Sequence, residues 1–225
     1  MPENKNSQYL SQLPGWANVA LDLPWFEIAG KIWKIGRKVM RGLSNEGMYE
    51  VLDYESTLEL KDKRGKNAIV RKREKVRYLQ DNIIAYQDQA WGDGVILIDY
   101  RCTPGKAVDQ YQPGSKTYIL ISLREVKHKG DIDNFNIEWG VKDGFLREKE
   151  LWETEIRHRT RHLKTHVIFP KSRSPYKVSI MEGLRQRSSN LGKNAMVQLP
   201  DGRWIVSWET QHPRLYERYS LQWEW

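Results

Sequence analysis

Three histidines at four-residue intervals are the first residues of this sequence whose types and spacing could do chemistry. His158, His162 and His166 lie in the stretch RHRTRHLKTH. On a helix this spacing would align the imidazoles on one face, where they could bind zinc. The residues VIFP that follow favour a strand, on which His162 and His166 would lie about 13 Å apart. Because one ion cannot bridge that distance, we predict no metal site and interpret the stretch as a cationic strand that gains charge at acidic pH.

The other candidate catalytic groups lack the residues that would make them reactive. Asp131 and Asp133 resemble the start of a calcium loop, but the glycine and the closing glutamate of that motif are missing. Cys102 lies in or beside a strand and would need a histidine partner to act as a nucleophile. The sequence contains no GxSxG, HExxH or phosphate-binding glycine loop. We therefore predict a non-catalytic protein with no cofactor.

Length and composition indicate one large domain, or one domain with a small appendage. The chain has 225 residues, of which ten are tryptophan and eleven tyrosine, so aromatic rings supply much of the apolar surface. A single cysteine excludes an internal disulfide and favours a reducing compartment. No signal peptide and no apolar run long enough to span a membrane is recognisable. We expect a cytoplasmic protein that can associate peripherally with a membrane.

The net charge of +8 indicates affinity for a polyanion. Nucleic acid, anionic lipid and acidic proteins all satisfy that description, so the net charge alone selects none of them. The position of the basic residues along the chain is more informative, because two segments concentrate them.

From residue 46 onward the apolar residues recur with a period of two, which is typical of half-buried strands. Eight to ten short strands are separated by turns, and LPDGRW forms a hairpin with an Asp-Gly turn. There is no βαβ rhythm, so residues 46–225 are predicted to form an antiparallel β-sandwich or a barrel-like domain. Phe145, Lys149, Trp152 and Ile156 fall at helical spacing, which predicts one short internal helix over residues 145–153.

The N-terminal part of the chain follows a different pattern. Residues 1–23 are predicted to be a polar, partly disordered segment, and residues 24–45 a basic amphipathic helix that begins near Asp22 and Pro24. On a helical wheel no charged residue enters the apolar half. The residues expected to contact a membrane or a partner are Trp25, Phe26, Ile32, Trp33 and Val39 on the apolar side, and Lys31, Lys34, Arg37, Lys38 and Arg41 on the basic side.

Such a helix would be marginal alone in water, so its apolar side needs a partner. Three partners fit the pattern: the protein's own sheet, an anionic membrane surface, or a groove on another protein. The sequence does not decide among them, and the three are compatible if the helix can leave the domain.

A second basic segment lies at residues 61–77, where nine basic residues accompany two acidic ones. On a strand, Arg71, Arg73, Lys75 and Arg77 share one face. Four like charges in a row repel, so we predict either an anionic partner or acidic neighbours. A charged edge strand that discourages aggregation is the alternative interpretation. Phosphates of lipid or nucleic acid would suit the row, although no motif for sequence-specific nucleic-acid recognition accompanies it.

The sequence as a whole therefore predicts a docking protein rather than an enzyme. An anionic membrane is the first expected partner, engaged through the basic helix and the basic strand. A protein–protein adaptor is the first alternative, and a sequence-independent nucleic-acid binder is the second. No small-molecule substrate is inferred.

Overall fold

The computed structural model describes residues 47–225, and this part of the chain is mainly β-structure, as predicted. It contains fourteen strands and one short 3-10 helix at Lys193–Ala195. The strands are β1 (Tyr49–Leu60), β2 (Asn67–Tyr78), β3 (Ile83–Ala90), β4 (Val95–Thr103), β5 (Lys106–Tyr111), β6 (Thr117–Lys127), β7 (Ile132–Lys142), β8 (Lys149–Glu155), β9 (His162–Phe169), β10 (Lys177–Glu182), β11 (Arg187–Asn190), β12 (Met196–Gln198), β13 (Trp204–Gln211) and β14 (Arg218–Glu224).

The strands form three sheets. The seven-stranded sheet has the order β12-β13-β9-β1-β2-β7-β4, the four-stranded sheet β11-β10-β14-β8, and the three-stranded sheet β3-β6-β5. Neighbouring strands are antiparallel except β1 and β9, which run parallel from the pair Tyr54–Leu163 to the pair Glu59–Ile168. The prediction of a wholly antiparallel fold was wrong at this pair. A parallel pair needs a long crossover, and here β2–β8 separate the two strands along the chain.

The two faces of the seven-stranded sheet differ because side chains alternate along each strand. Leu58 on β1 and Val70 on β2 are register partners, and both are fully buried. Their neighbours Thr57 and Arg71 are also register partners and lie on the opposite face. We call the face of Leu58 the inner face and that of Arg71 the outer face.

The turn between β1 and β2 depends on Asp62 and Gly65. The carboxylate of Asp62 accepts backbone N–H bonds from Arg64 at 2.9 Å and from Asn67 at 2.8 Å. Gly65 has a φ of +67°, and a Cβ atom there would lie 1.7 Å from the carbonyl oxygen of Phe145. The turn therefore requires glycine for both its backbone conformation and its close packing.

Both smaller sheets pack on the inner face of the seven-stranded sheet. Phe169 of β9 contacts Trp223 of β14 edge to face, with ring centroids 5.5 Å apart. From β8, the indole N–H of Trp152 donates a hydrogen bond to Ser56 on β1. The three-stranded sheet approaches through Tyr86, whose ring stacks on Phe135 of β7 at 4.1 Å. The described domain is thus layered, with an aromatic core between the layers.

The predicted helix over residues 145–153 does not form. Residues Lys149–Glu155 are strand β8, which pairs with β14 from Lys149–Glu224 to Glu155–Arg218. Leu151 is 46% exposed, and Trp152 packs against the core, as expected for a strand covered on one side. The helical spacing of Phe145 and Ile156 was coincidental, since these two buried residues lie outside the strand.

The predicted polar segment at 1–23 and the predicted helix at 24–45 lie outside the described residues. Within residues 47–225, no helix is long and apolar enough to cross a membrane.

Candidate functional site

The outer face of the seven-stranded sheet carries the predicted basic row, and its members differ in how fully acidic residues neutralise them. Arg71, Arg73, Lys75 and Arg77 share this face, as the sequence predicted. Arg71 forms ion pairs of 2.7 Å with Glu59 on β1 and with Glu138 on β7. Arg77 donates a 2.7 Å hydrogen bond to the buried carboxylate of Glu50. The ends of the row are therefore bound to acidic neighbours.

The two central cations, Arg73 and Lys75, are more accessible to an anionic ligand. The side chain of Arg73 is 69% exposed, and its ion pair with Glu55 is long, at 3.9 Å. Lys75 is exposed and forms no ion pair with any residue that the structure describes. On β7 their register partners are Asn136 and Asn134, two exposed neutral amides, and on β1 their register partners are the acidic residues Glu55 and Asp53. An anion placed over β2 and β7 would meet two cations and two amide groups that can donate hydrogen bonds.

A row of apolar side chains crosses the outer face beside the basic row. The row consists of one residue from each strand of the sheet, from β12 to β4, and each residue is the register partner of the next. The apolar members, which we call the isoleucine row, are Val197, Ile205, Ile168, Ile69 and Ile98. Val197 is 55% exposed and the isoleucines are half-buried. None of these five residues belongs to the core or packs against it.

Glu59 interrupts the isoleucine row and links it to the basic residues. Its carboxylate lies 2.7 Å from a nitrogen of each of Lys61, Arg71 and Arg203. Partial burial alone would raise the pKa of Glu59, but the hydrogen bonds from Lys61 and Arg71 hold it below its ordinary value. Glu59 therefore stays ionised and fixes three cationic side chains at the edge of the isoleucine row.

The histidines do not form a metal site. His162 and His166 lie on β9, which confirms the strand prediction for these two residues. His162 is hydrogen-bonded to Asp53 and His166 to Ser207. His158 precedes the strand and lies against Tyr49, with ring centroids 4.3 Å apart. Among residues 47–225 no three histidine, cysteine or acidic side chains are grouped so that they could hold a metal ion.

The remaining candidates from the sequence have structural partners. Burial raises the pKa of the Cys102 thiol, which disfavours the reactive thiolate. Asp131 accepts a hydrogen bond from the backbone N–H of His128. Asp133 accepts one from the hydroxyl of Tyr78 and lies 3.1 Å from the ammonium of Lys127. The ten membrane- or partner-binding residues predicted between Trp25 and Arg41 lie outside the described residues.

A buried polar cluster lies behind the basic row, on the inner face of the same strand. Lys72 is 6% exposed, and its ammonium donates hydrogen bonds to the carboxylate of Asp88 and to the carbonyl of Gln89, both at 2.7 Å. Asp88, 3% exposed, also accepts a hydrogen bond from the hydroxyl of Tyr100 at 3.0 Å. These contacts join β2 to β3 and β4, so the cluster connects the seven-stranded and three-stranded sheets.

Glu74 is the second acidic residue of this cluster, and it accepts a hydrogen bond from the hydroxyl of Tyr86. Burial raises the pKa of Glu74 to about 7. The positive charge of Lys72 lowers this pKa, and the negative charge of Asp88 offsets part of that lowering. A cavity of about 50 Å³ borders Glu74, Asp88 and His158. Glu74 can thus hold or release a proton near neutral pH inside the domain.

The sequence interpretation missed this cluster. It counted Lys72 and Glu74 within the basic segment and assigned neither to a face, although both share the parity of Val70 and Val76. This shared parity could have predicted the cluster, because it places Lys72 and Glu74 on the buried face of β2.

Comparisons with known proteins give a limited result. Neither the protein-family models nor the curated proteins match the chain. Among solved structures, an M1 zinc metallopeptidase from Deinococcus radiodurans is similar over 78% of this chain and 42% of its own, at 8% identity and a TM-score of 0.44. A putative protease from Parabacteroides distasonis is similar over 79% and 40%, at 10% identity and a TM-score of 0.46. The chain thus spans about two-fifths of these proteins, and at this similarity they carry no inference about its activity.

Proposed function

We propose that the protein is a non-catalytic docking protein that engages an anionic membrane surface. The observation that supports this most directly is the arrangement of the outer face, where the isoleucine row lies outside the core and the exposed cations Arg73 and Lys75 lie further along the same face of β2, beyond Arg71. A surface that binds anionic lipid needs cations for the headgroup phosphates and apolar side chains for the interfacial region.

The charges on the rest of the outer face support a restricted contact rather than a uniformly basic one. Arg71 and Arg77 are already paired with carboxylates, so the contact would centre on Arg73, Lys75 and the neighbouring amides. Each lysine or arginine near an anionic membrane contributes about 1 kcal/mol to binding. Two cations alone give weak, reversible association, and the apolar row and a second basic element would strengthen it.

The predicted helix over residues 24–45 is that second element in our proposal. Its apolar residues would enter the interface, and its lysines and arginines would contact headgroups. We interpret the layered domain of residues 46–225 as a β-sandwich that presents the outer face to the membrane. With this role we place the protein in the cytoplasm, at the membrane periphery.

Co-sedimentation with lipid vesicles tests the proposal. The full chain should bind vesicles of phosphatidylcholine with phosphatidylserine and not vesicles of phosphatidylcholine alone, and binding should weaken as salt rises. The double variant Arg73→Gln/Lys75→Gln should lose about 2 kcal/mol of binding free energy, or about thirtyfold in affinity. The double variant Lys34→Gln/Lys38→Gln tests the predicted helix in the same way.

The double variant Lys106→Gln/Arg187→Gln is the matched control. It removes one lysine and one arginine, both exposed, from the two smaller sheets. If it weakens binding as much as Arg73→Gln/Lys75→Gln, binding follows net charge and the assigned face is wrong. If the wild-type chain ignores anionic vesicles but binds an oligonucleotide with steep salt dependence, the nucleic-acid alternative replaces this proposal. A protein that copurifies and protects residues 24–43 from proteolysis would favour the adaptor alternative.

A further inference from the structure

The four-stranded sheet carries an open groove on the face directed away from the core. The groove has a volume of about 370 Å³, which is within the range of small-ligand sites. Trp152 and Leu221 pack against the core from the opposite face of the same sheet. The groove therefore lies on a surface that no other described strand covers.

Hydrogen-bonding side chains cross the centre of the groove in one row. Gln222 on β14, Ser179 on β10 and Asn190 on β11 are consecutive register partners, and the apolar Leu151 on β8 pairs with Gln222 at the end of this row. The contact between Ser179 and Gln222 is long, at 3.5 Å, so it satisfies these two groups poorly. The row offers amide and hydroxyl groups that can both donate and accept hydrogen bonds.

The adjacent row is positively charged. Lys149, Glu224 and Lys177 are register partners on β8, β14 and β10. The two ammonium groups share the single carboxylate of Glu224, at 3.3 Å and 3.2 Å. This row therefore keeps one positive charge in excess, directly beside the neutral amides.

An exposed aromatic ring lies next to the charged row. Tyr176 is 73% exposed, yet it is held in place by two hydrogen bonds. Its backbone N–H donates to the carbonyl of Glu224 at 2.9 Å, and its hydroxyl donates to the Glu224 carboxylate at 3.1 Å. A fixed, exposed ring offers an apolar face for stacking.

We propose that this groove binds a short acidic oligosaccharide. Sugar hydroxyls both donate and accept hydrogen bonds, which matches Gln222, Ser179 and Asn190. The carboxylate of a uronic acid would balance the excess charge of Lys149 and Lys177, and the C–H face of a sugar ring would stack on Tyr176. This site lies on a different sheet from the membrane-binding face and does not depend on it.

Isothermal titration calorimetry of the full chain with tetragalacturonate tests the site. The probe should bind the wild-type chain, and Asn190→Ala and Gln222→Ala should each weaken binding about fivefold to tenfold through the loss of hydrogen bonds. Lys177→Gln should weaken binding and reduce its dependence on salt. The matched controls Asn136→Ala and Lys75→Gln make the same changes as Asn190→Ala and Lys177→Gln on the seven-stranded sheet and should leave binding unchanged.

Two further probes separate an acidic sugar from other ligands. Neutral maltotetraose should bind at least tenfold more weakly, and a glutamate tetrapeptide should not compete at equal concentration. Absence of tetragalacturonate binding at millimolar concentration would overturn the proposal, and so would equal binding of maltotetraose or of the tetrapeptide. The variants alter exposed or half-buried side chains, and an unchanged melting temperature shows that a loss of binding is local.

Discussion

Lys72 donates a hydrogen bond to Asp88 at 2.7 Å inside the domain, while its neighbours Arg71 and Arg73 lie on the outer face of the same strand. Both partners of the buried pair are less than a tenth exposed. Strand β2 thus has two electrostatic roles: it presents cations on the outer face and fixes the three-stranded sheet on the inner face. Taking such a pair out of water is costly, so its geometry and its remaining hydrogen bonds decide whether it stabilises the fold.

Replacement of Lys72 by methionine is therefore expected to destabilise the domain. The substitution keeps most of the side-chain volume but leaves Asp88 buried without its cation. We expect the free energy of unfolding to fall by about 3–5 kcal/mol. Unfolding in urea, followed by tryptophan fluorescence, measures the change.

The double variant Lys72→Met/Asp88→Leu is the control. It removes both charges, so it should lose less stability than the sum of the two single variants, with a coupling of about 1–3 kcal/mol. Additive single effects would show that the two side chains do not stabilise each other, and would contradict the role given to the pair.

Glu74 is expected to make the domain less stable as pH rises. Its pKa is raised from 4.5 in the unfolded chain to about 7 in the fold, so the folded state binds the proton more tightly. The stabilising effect is complete below pH 4.5 and is lost as pH rises to about 7, a change of about 3 kcal/mol. The ionisable groups around it are Lys72 on β2, Asp88 and Tyr86 on β3, Tyr49 and Tyr54 on β1, and Tyr100 on β4.

Glu74→Gln should abolish this pH dependence, because an amide does not titrate. In urea unfolding between about pH 5 and 8, the free energy of unfolding of the wild-type chain should fall relative to that of the variant as pH rises, because the two chains differ only in the titration of Glu74. Glu138→Gln, at a half-buried position on the outer face, is the comparison, and its curve should follow that of the wild-type chain. Parallel curves for wild type and Glu74→Gln would mean that Glu74 titrates normally.

His158 is expected to act in the opposite direction. Burial, with a smaller effect from Arg157, lowers its pKa from 6.5 to about 4, so the folded state disfavours the charged imidazole. Above pH 6.5 the imidazole is neutral in both the folded and the unfolded chain, so it does not affect the free energy of unfolding. As pH falls from 6.5 to about 4, the free energy of unfolding falls by at most about 3 kcal/mol, because the unfolded chain binds the proton more readily. His158→Gln should therefore resist acid better than the wild-type chain. An unchanged acid midpoint in circular dichroism would contradict this assignment.

Much of the fold was predictable because alternation along a strand is a local property. The basic row was placed correctly on one face, and LPDGRW does join β12 and β13. The parallel pairing of β1 with β9 was not predictable, because more than a hundred residues separate these strands and local pattern carries no information on such contacts. The false helix at 145–153 arose because four residues can match helical spacing by chance, whereas pairing with β14 decides the structure.

The outer-face site was predictable only in those features that depend on the residues of a single strand. The sequence indicated that the basic row would need anions or acidic neighbours, but not which of its cations would lack a close acidic partner. Arg71 is neutralised by Glu138, which lies 67 positions away, whereas Arg73 faces Asn136. Similarly, the isoleucine row has members on five strands, and no strand contains more than one of them.

The isoleucine row gives a final prediction that separates the two faces of β2 with adjacent residues. Ile69 is half-buried and lies outside the core, whereas Val70 is fully buried within it. Ile69→Thr should therefore lower the free energy of unfolding by less than about 1 kcal/mol but weaken binding to phosphatidylserine vesicles. Val70→Thr buries an unpaired hydroxyl and should cost about 1–3 kcal/mol, without a specific effect on vesicle binding by the folded protein. If Ile69→Thr leaves vesicle binding unchanged while Arg73→Gln/Lys75→Gln weakens it, then the cations alone contact the lipid, and the isoleucine row lies outside the membrane contact.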